Sequence, residues 1–399
     1  MRQAAIARLL LLPLLATCTA GGGEPTGLRA TSLAVTVQPS NIAAGALMTP
    51  GVQVTARDAA GNKTTNFTGD VSLTLGTNRR SGKLYGTTTV IATGGVAVFS
   101  GLTVDSAAPG YTLRAVSPSL SGTASSPFDV AAAPSAVLIG AGDIASCPGG
   151  AQGATSALLQ ANPLATVFAA GDNAYPNGAL TDYQGCYDAA WGQQKARTRP
   201  AAGNHEYQTA GAAGYWRYFG AMAGDSGKYY YSYDLGSWHI VVINSNDSDV
   251  LTESGSPQEA WLRADLKASA KQCTLAYWHH PRFSSGTTHG SSGWMQQVWQ
   301  DLYDAGAEIV ISGHEHNYER FAPQNDKGGL DPARGIREFV VGTGGASLYN
   351  KQAPTPNEEV FNGATWGVLK LTLYAASYTW EFVPTAGGSF TDTGAGSCH

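Results

Sequence analysis

Apolar and polar residues follow two different patterns along the chain. From about residue 30 to residue 132, short runs alternate between apolar and polar positions, and turn sequences such as Ala60-Gly61-Asn62 separate them. Several short alternating strands within about 100 residues predict a β-sandwich. The clearest alternating runs are residues 33–37, 52–56, 71–75 and 111–115.

The pattern changes at residue 136, where continuous apolar runs of strand length begin to alternate with helical segments. Helices are predicted at 151–160, at 257–268 with Ser256 as the N-cap, and at 293–305. Strands are predicted at 137–139, 164–170, 274–277 and 308–311, and hairpins or strands at 229–243, 337–341 and 366–382. We therefore expect residues 30–132 to form an all-β sandwich and residues 136–399 to form an α/β (α+β) domain. In that domain, two packed sheets would be covered by helices as a four-layer αββα sandwich.

Residues 1–29 are predicted to be an export signal followed by a flexible tether. Arg2 and Arg8 precede a short apolar run that is too short to span a membrane as a mature helix. The sequence Leu15-Ala16-Thr17-Cys18 is similar to a bacterial lipobox, in which Cys18 would be acylated, although Thr17 departs from the usual pattern. The protein is thus expected to be an exported bacterial protein. Free secretion and a lipoprotein tethered to the membrane through Cys18 both remain open.

The remaining four cysteines, an even number in an exported chain, predict two disulfides. Four cysteines allow three connectivities. We favour Cys147–Cys186, which flanks the first candidate metal segments, and Cys273–Cys398, which would hold the C-terminal tail.

Charge gives no reason to expect a nucleic-acid partner. The chain has 24 Lys and Arg against 29 Asp and Glu, a net charge of −5, and only 13% charged residues. Without a basic stripe, a metal-dependent nuclease has no support, and a small-molecule substrate is expected instead. The oligomeric state is not determined by the sequence.

Five short polar segments follow one another along the second domain, several of them directly after a predicted strand. Five of the eight histidines lie in these segments, together with aspartate and asparagine. Imidazole and carboxylate together suit iron, zinc or manganese, and the absence of cysteine argues against a structural zinc site. Two adjacent metals need a ligand that bridges them, and Asp172 is the best candidate. The segments are 142–144, 171–175, 203–206, 278–281 and 313–316.

This ordered set resembles the purple acid phosphatases of the calcineurin-like metallophosphoesterase superfamily. The matching motifs are Gly-Asp, Gly-Asp-x-x-Tyr, Gly-Asn-His-Glu, a later His and Gly-His-x-His, and residues 313–320 (Gly-His-Glu-His-Asn-Tyr-Glu-Arg) match especially closely. The family commonly places a β-sandwich before its catalytic domain. Residues 99–105 are similar to bacterial immunoglobulin-like modules, so the sandwich is expected to be immunoglobulin-like.

The resemblance implies two metal ions that share Asp172. A ferric ion, Fe(3+), would be held by Asp143, Asp172, Tyr175 and His316. A second, divalent ion (Fe, Zn or Mn) would be held by Asp172, Asn204, His279 and His314.

Tyr175 is the residue that narrows the resemblance to purple acid phosphatases. Superfamily members without this tyrosine place a histidine two residues after the first aspartate, and this chain has Ala145 there. The first metal would therefore lack a ligand unless Tyr175 supplies a phenolate.

The resemblance also implies roles for histidines around the metals. His205 would contact phosphate and protonate the leaving group, and His289 is a second candidate for the catalytic acid. Asn204, His205 and His280 are the candidate substrate contacts, although His280 is equally well explained as a hydrogen-bonded structural residue.

The predicted reaction is hydrolysis of a phosphate monoester by attack of a metal-bound hydroxide. A phosphodiesterase using the same metal site is the nearest alternative. An alternative of another class is a surface binding protein whose metal site is vestigial.

Overall fold

The structure is a computed structural model that describes residues 29–351 and 354–399. The predicted export signal, including Cys18, therefore lies outside the described residues. Across the described ranges, the longest apolar helices all fall short of what a membrane crossing requires. The chain divides between Ala133 and Pro134 into two compact units.

The first unit is built from short β-strands. They form a seven-stranded sheet of order β6-β4-β10-β11-β1-β3-β7, a three-stranded sheet of order β2-β12-β9 and the pair β5-β8. The immunoglobulin-like character of this unit remains a prediction. The strands are β1 (Ser32–Val37), β2 (Ile42–Ala43), β3 (Val52–Arg57), β4 (Asp70–Leu75), β5 (Leu84–Tyr85), β6 (Thr89–Ile91), β7 (Val96–Phe99), β8 (Thr103–Val104), β9 (Ala108–Tyr111), β10 (Leu113–Ser117), β11 (Leu120–Ala124) and β12 (Phe128–Ala131).

The single strand predicted at residues 111–115 is wrong, because the chain changes sheets inside it. β9 ends at Tyr111 and pairs with β12, whereas β10 begins at Leu113 and pairs with β4 and β11. Thr112 lies between them, and its Oγ1 accepts a hydrogen bond from the Thr77 amide at 2.8 Å. Tyr111 and Leu113 are both buried in the same core, so the alternating pattern continues across the break.

The second unit is a mixed α/β domain containing a six-stranded and a seven-stranded sheet. Their strand orders are β15-β14-β13-β23-β24-β25 and β16-β17-β18-β19-β21-β20-β22. The four-layer arrangement of sheets and helices remains a prediction. The strands are β13 (Ala136–Ala141), β14 (Thr166–Ala170), β15 (Thr198–Ala201), β16 (Tyr231–Leu235), β17 (Trp238–Val242), β18 (Cys273–Tyr277), β19 (Ile309–Ser312), β20 (Tyr318–Phe321), β21 (Arg337–Val341), β22 (Glu358–Asn362), β23 (Gly367–Leu373), β24 (Ser377–Pro384) and β25 (Thr393–Ser397).

One helix of this unit, α4 (Pro257–Ala268), begins at a side-chain cap. Ser256 caps α4 because its hydroxyl accepts a hydrogen bond from the Glu259 amide at 3.2 Å, and Pro257 occupies the first turn. The helix predicted at 293–305 starts as a 3-10 turn before it becomes α5. The α-helices are α1 (Gln152–Gln160), α2 (Leu180–Asp182), α3 (Ala213–Phe219), α4 (Pro257–Ala268) and α5 (Gln296–Asp304). The π and 3-10 turns are Tyr183–Tyr187, Trp191–Arg197, Glu206–Gln208, Ala210–Ala212, Gly220–Ala223 and Gly293–Met295.

The seven-stranded sheet is buried on both faces. Alternate residues of β17, such as Ile240 and Val242, belong to a core shared with residues of the six-stranded sheet. Their neighbour Val241 instead packs with Leu262 of α4 and Val298 of α5. Because successive side chains of a strand point to opposite faces, continuous apolar runs such as β17 are what a sheet covered on both sides requires.

Both predicted disulfides are present, with the favoured pairing. Cys147 bonds to Cys186, and Cys273 bonds to Cys398. The first joins the loop after β13 to the π turn at Tyr183–Tyr187, and the second joins the start of β18 to the segment after β25.

The strand directions bring the candidate metal segments to the ends of neighbouring strands. β13, β14 and β15 are parallel to one another, and a polar segment follows each of them. In the other sheet, β18 and β19 are also parallel, and they end just before His279 and His314. Polar residues at the carboxyl ends of parallel strands are the usual site-forming arrangement of α/β proteins.

Candidate metal centre

Three of the candidate ligands have a backbone conformation that non-glycine residues rarely adopt. The φ angles are +58° at Asp143, +47° at Asp172 and +70° at His314. Left-handed backbone at such residues costs about 1–3 kcal/mol each and is concentrated at functional sites. Each follows a glycine at the end of a strand.

The glycines of these motifs are required because ligand atoms fill the space that a side chain would need. A Cβ at Gly203 would lie 2.2 Å from Asp172 Oδ1. A Cβ at Gly171 would lie 2.5 Å from His279 Nδ1, and one at Gly313 would lie 2.6 Å from Asp143 Oδ2. Glycine before Asp172, Asn204 and His314 is therefore a packing requirement.

The first cluster of donor atoms surrounds the Tyr175 hydroxyl. Its Oη lies 3.0 Å from Asp143 Oδ1, 3.1 Å from Asp172 Oδ2 and 3.0 Å from His316 Nε2. His316 Nδ1 lies 2.7 Å from the Ser347 carbonyl oxygen, so Nδ1 carries the proton and Nε2 presents a lone pair. One hydroxyl proton cannot satisfy three acceptors, whereas a cation among these four atoms would.

The second cluster surrounds His279 Nε2. Asp172 Oδ2 lies 3.3 Å away, Asn204 Oδ1 lies 3.0 Å away and His314 Nδ1 lies 3.1 Å away. His279 Nδ1 is 2.9 Å from the Ala170 carbonyl oxygen and therefore carries the proton. Nε2, which faces two oxygens, is thus the nitrogen that a bound metal ion would engage in place of a second proton.

The spacing of these atoms supports the fit of two metal ions. Ligands bonded at about 2.1 Å to one ion, at right angles, are about 3.0 Å apart, close to the separations in both clusters. Asp172 Oδ2 belongs to both clusters, while Asp172 Oδ1 accepts a hydrogen bond from the His205 amide at 2.8 Å. Asp172 is therefore the residue that two ions would share.

The electrostatics of the site favour positive charge. Burial lowers the pKa of His279, but the charge of Asp172 and their hydrogen bond outweigh this and raise the pKa to about 9. Burial likewise opposes charge on His316, yet Asp143 raises its pKa. Burial, together with the charges of Asp143 and Asp172, raises the pKa of Tyr175 well above its usual value. Tyr175 would therefore ionise only beside a strongly acidic cation.

His314 and His280 are held as neutral imidazoles. Burial, with the nearby His279, lowers the pKa of His314 far below its usual range and that of His280 to about 3. His280 is 7% exposed, its Nδ1 lies 2.8 Å from Ser245 Oγ, and its ring centroid is 4.4 Å from that of His314. The structure thus buries this candidate substrate contact behind a candidate ligand.

His205 and His289, the two candidate acids, lie at the exposed side of the clusters. The His205 side chain is 33% exposed, with Nδ1 2.5 Å from the Pro176 carbonyl oxygen and Nε2 3.7 Å from Asp172 Oδ2. The exposed His289 ring stacks on His314 with centroids 4.0 Å apart, and partial burial lowers its pKa. Within the described residues, no hydrogen bond engages either ring nitrogen of His289.

Sequence reasoning gave no role to Glu206, which organises the centre from behind. This carboxylate is fully buried, and its Oε2 accepts hydrogen bonds from the amides of Gly203 at 2.7 Å and Asp172 at 3.0 Å. Its Oε1 accepts from the Asn173 amide and from the Tyr183 hydroxyl, both at 2.9 Å. The sequence signal that could have identified Glu206 is its position directly after the candidate residues Asn204 and His205.

Comparison with known proteins identifies the domain that carries this centre. Residues 138–318 match the calcineurin-like phosphoesterase family. Purple acid phosphatase 18 of Arabidopsis thaliana is 29% identical over 178 residues, which cover 42% of this chain and 39% of that protein. An uncharacterized protein of Mycobacterium tuberculosis is 30% identical over 206 residues, covering 41% of this chain and 38% of that protein. The chain thus spans about two fifths of the length of these curated relatives.

Solved structures share the fold at low sequence identity. A purple acid phosphatase from yellow lupin (Lupinus luteus) seeds is 16% identical with a TM-score of 0.55, covering 92% of this chain and 74% of that one. GAP50, an anchor in the inner membrane complex of Plasmodium, is also 16% identical, with a TM-score of 0.52. The match covers 66% of this chain and 89% of that one. At this identity, the likeness concerns the fold alone.

Proposed function

We propose that this chain, which carries a calcineurin-like metallophosphoesterase domain, hydrolyses phosphate monoesters at a dinuclear metal centre of the purple acid phosphatase type. The observation that carries the proposal is the position of the Tyr175 hydroxyl, within 3.1 Å of an oxygen of each of two aspartates and a nitrogen of His316. A tyrosine so placed favours a ferric ion, since its pKa is raised and only a strong Lewis acid would ionise it.

The two clusters support a division of the candidate ligands between the two ions. Asp143, Tyr175 and His316, together with Asp172, would hold Fe(3+). Asn204, His279 and His314, again with Asp172, would hold the divalent ion, for which iron, zinc and manganese all suit the donors. When bound, the ions would neutralise phosphate charge and lower the pKa of a water molecule.

The chain's own residues would bind the ester and supply a proton. Because His205 Nδ1 donates to the Pro176 carbonyl, its Nε2 is the nitrogen available to an oxygen of the substrate. Protonation of the departing alcohol from that nitrogen contributes typically 10²–10⁴-fold to such reactions. The His289 ring, stacked on His314 with centroids 4.0 Å apart, is the second candidate for protonating that alcohol.

Rates on two chromogenic substrates test the proposal. Purified, metal-replete protein is expected to hydrolyse p-nitrophenyl phosphate faster than bis(p-nitrophenyl) phosphate. His205→Ala is expected to lose about 100-fold in kcat on an alkyl phosphate, whose leaving group needs a proton, while keeping its metals. Faster diester hydrolysis would favour a phosphodiesterase. No hydrolysis of either compound by the metal-replete protein would favour a binding protein with a vestigial site.

Tyr175→Phe tests the metal assignment independently of turnover. Metal analysis and a visible spectrum of the wild type should show iron and a phenolate charge-transfer band, and the band should disappear in the variant. An iron-loaded, colourless wild type would contradict the Tyr175 assignment.

Export is proposed on separate grounds. The two disulfides are typical of proteins that mature outside the reducing cytosol. Labelling cells with a palmitate analogue distinguishes a lipoprotein acylated at Cys18 from a freely secreted protein, because only the first takes up label.

A further inference from the structure

The segment that carries His289 is held by buried carboxylates along most of its length. Glu338, on β21, is fully buried and accepts hydrogen bonds from the amides of Arg282 at 3.0 Å and Phe283 at 2.9 Å. Glu319, on β20, is also fully buried and accepts from Ser284 Oγ at 2.6 Å and from the Ser285 amide at 2.7 Å.

Glu315 completes this row beside His289. A single oxygen, Oε1, accepts hydrogen bonds from three successive amides, those of Thr288 at 3.1 Å, His289 and Gly290 at 2.6 Å. The carboxylate is fully buried, and a Cβ at Gly286 would lie 2.2 Å from its Cδ and Oε2. The loop therefore closes around Glu315 from both sides.

Burying the Glu315 carboxylate costs free energy, which its hydrogen bonds to the loop offset. A buried carboxylate loses its hydration and needs several hydrogen bonds to offset the loss. Three converging backbone donors fix the path of the chain at the residue whose ring stacks 4.0 Å from His314. Residues 287–289 are exposed, so burial in the core does not fix this part of the loop.

We propose that Glu315 is a positioning residue, whose buried carboxylate fixes the backbone of Thr288, His289 and Gly290 and thereby holds the His289 ring beside His314, ready for the leaving group. The catalytic part of this inference rests on the proposed phosphoester hydrolysis, whereas the placement of the loop does not. Glu315 acts through His289 and touches neither substrate nor metal.

Amide hydrogen exchange tests the placement without any catalysis. Glu315→Gln, which keeps the shape but not the charge, should speed exchange at residues 288–290 by tenfold or more, and Glu315→Ala should speed it further. Glu338→Gln is the matched control, since it removes an equally buried carboxylate but should affect residues 282 and 283. Unchanged exchange at 288–290 in both Glu315 variants would overturn the proposal, and if Glu315→Ala does not fold, Glu315→Gln alone decides.

Kinetics of the same variants, with metal content measured in each, test the consequence. Glu315→Gln and His289→Ala should each lower kcat about 10–100-fold on an alkyl phosphate, with a smaller loss on p-nitrophenyl phosphate, whose leaving group needs little protonation. The double variant should lose no more than His289→Ala alone. Additive losses, or loss of metal in Glu315→Gln, would overturn the inference, whereas an inactive wild type would refute the proposed function and leave the exchange result to judge the placement.

Discussion

Gly203→Ala is the sharpest perturbation of the centre, since it adds one methyl group and no charge. The new Cβ would lie 2.2 Å from Asp172 Oδ1, 2.4 Å from the Asp172 amide nitrogen and 3.0 Å from its Cγ. The φ angle of Gly203 is not positive, so alanine can adopt the same backbone conformation. Because one of the clashing atoms belongs to the backbone, rotating the Asp172 side chain cannot relieve the overlap.

The size of the effect follows from these distances. A Cβ and an oxygen normally stay about 3.4 Å apart, so the bridging aspartate or the strand end must move by about 1 Å. Misplacement of about 1 Å near reacting groups can cost about 100-fold in rate. Overpacking of this kind costs about 1–3 kcal/mol in the free energy of unfolding.

Metal content, kcat/KM and the thermal unfolding midpoint should be measured together for this variant. We expect less than two metal ions per chain, about 100-fold lower kcat/KM and a lower midpoint. Gly153→Ala in α1 is the control: no atom lies within 4 Å of its Cβ, and alanine should stabilise the helix by up to about 1 kcal/mol. A Gly203→Ala protein with wild-type metal content and activity would refute the geometric reading of the motif.

Three further outcomes concern pH and metal. His239, hydrogen-bonded to Asp265 at 2.8 Å and Asp234 at 3.2 Å, has a raised pKa because those carboxylates outweigh burial. Its stabilisation is therefore complete below about pH 6.5 and is lost as pH rises through the folded pKa, so His239→Gln should flatten the unfolding curve above pH 6.5, and an unchanged slope would contradict this. Burial raises the pKa of Glu338 from 4.5 to about 8, so up to about 5 kcal/mol of stability is lost between those values. Glu338→Gln should reduce that loss of stability. If the free energy of unfolding, measured by chemical denaturation, has the same pH slope in the variant as in the wild type, the prediction is wrong. Chelation of the metals should lower the thermal unfolding midpoint, because bound metal stabilises the folded state by about 4 kcal/mol when its free concentration is about 1,000 times Kd. A midpoint that does not change with chelator would show that metal binding does not stabilise the fold.

The positions of three candidate ligands could be predicted because each follows a strand signal in the sequence. Asp143, Asp172 and His314 come directly after short apolar runs and a glycine, and parallel strands bring such ends together. The capping of α4 by Ser256 could also be predicted, because its signal, a serine directly before a proline and a helical segment, is local in the sequence.

Features that depend on contacts between distant residues could not be predicted this way. The break at Thr112 is hidden because its neighbours on both sides face one core. That Asp172 uses Oδ2 alone toward both clusters depends on the His205 amide, 33 residues away, which occupies Oδ1. The anchoring of His289 by Glu315 joins residues 26 apart and leaves no periodic trace in the sequence.

The hydrogen bonds of three buried carboxylates, Glu206, Asp143 and Asp172, distinguish the two candidate metal ligands from the residue behind them. Glu206 offers both of its oxygens to backbone or hydroxyl donors, so the protein itself offsets its charge. Asp143 and Asp172 divide their oxygens: one accepts a backbone amide, from His314 and His205 respectively, and the other faces the tyrosine hydroxyl and histidine nitrogens. Those contacts, at 3.0–3.3 Å, form an oxygen and nitrogen donor set that fits a cation. The candidate metal positions thus lie beside the aspartate oxygens that accept no backbone N–H. A vestigial site would have no reason to keep that costly division at both aspartates.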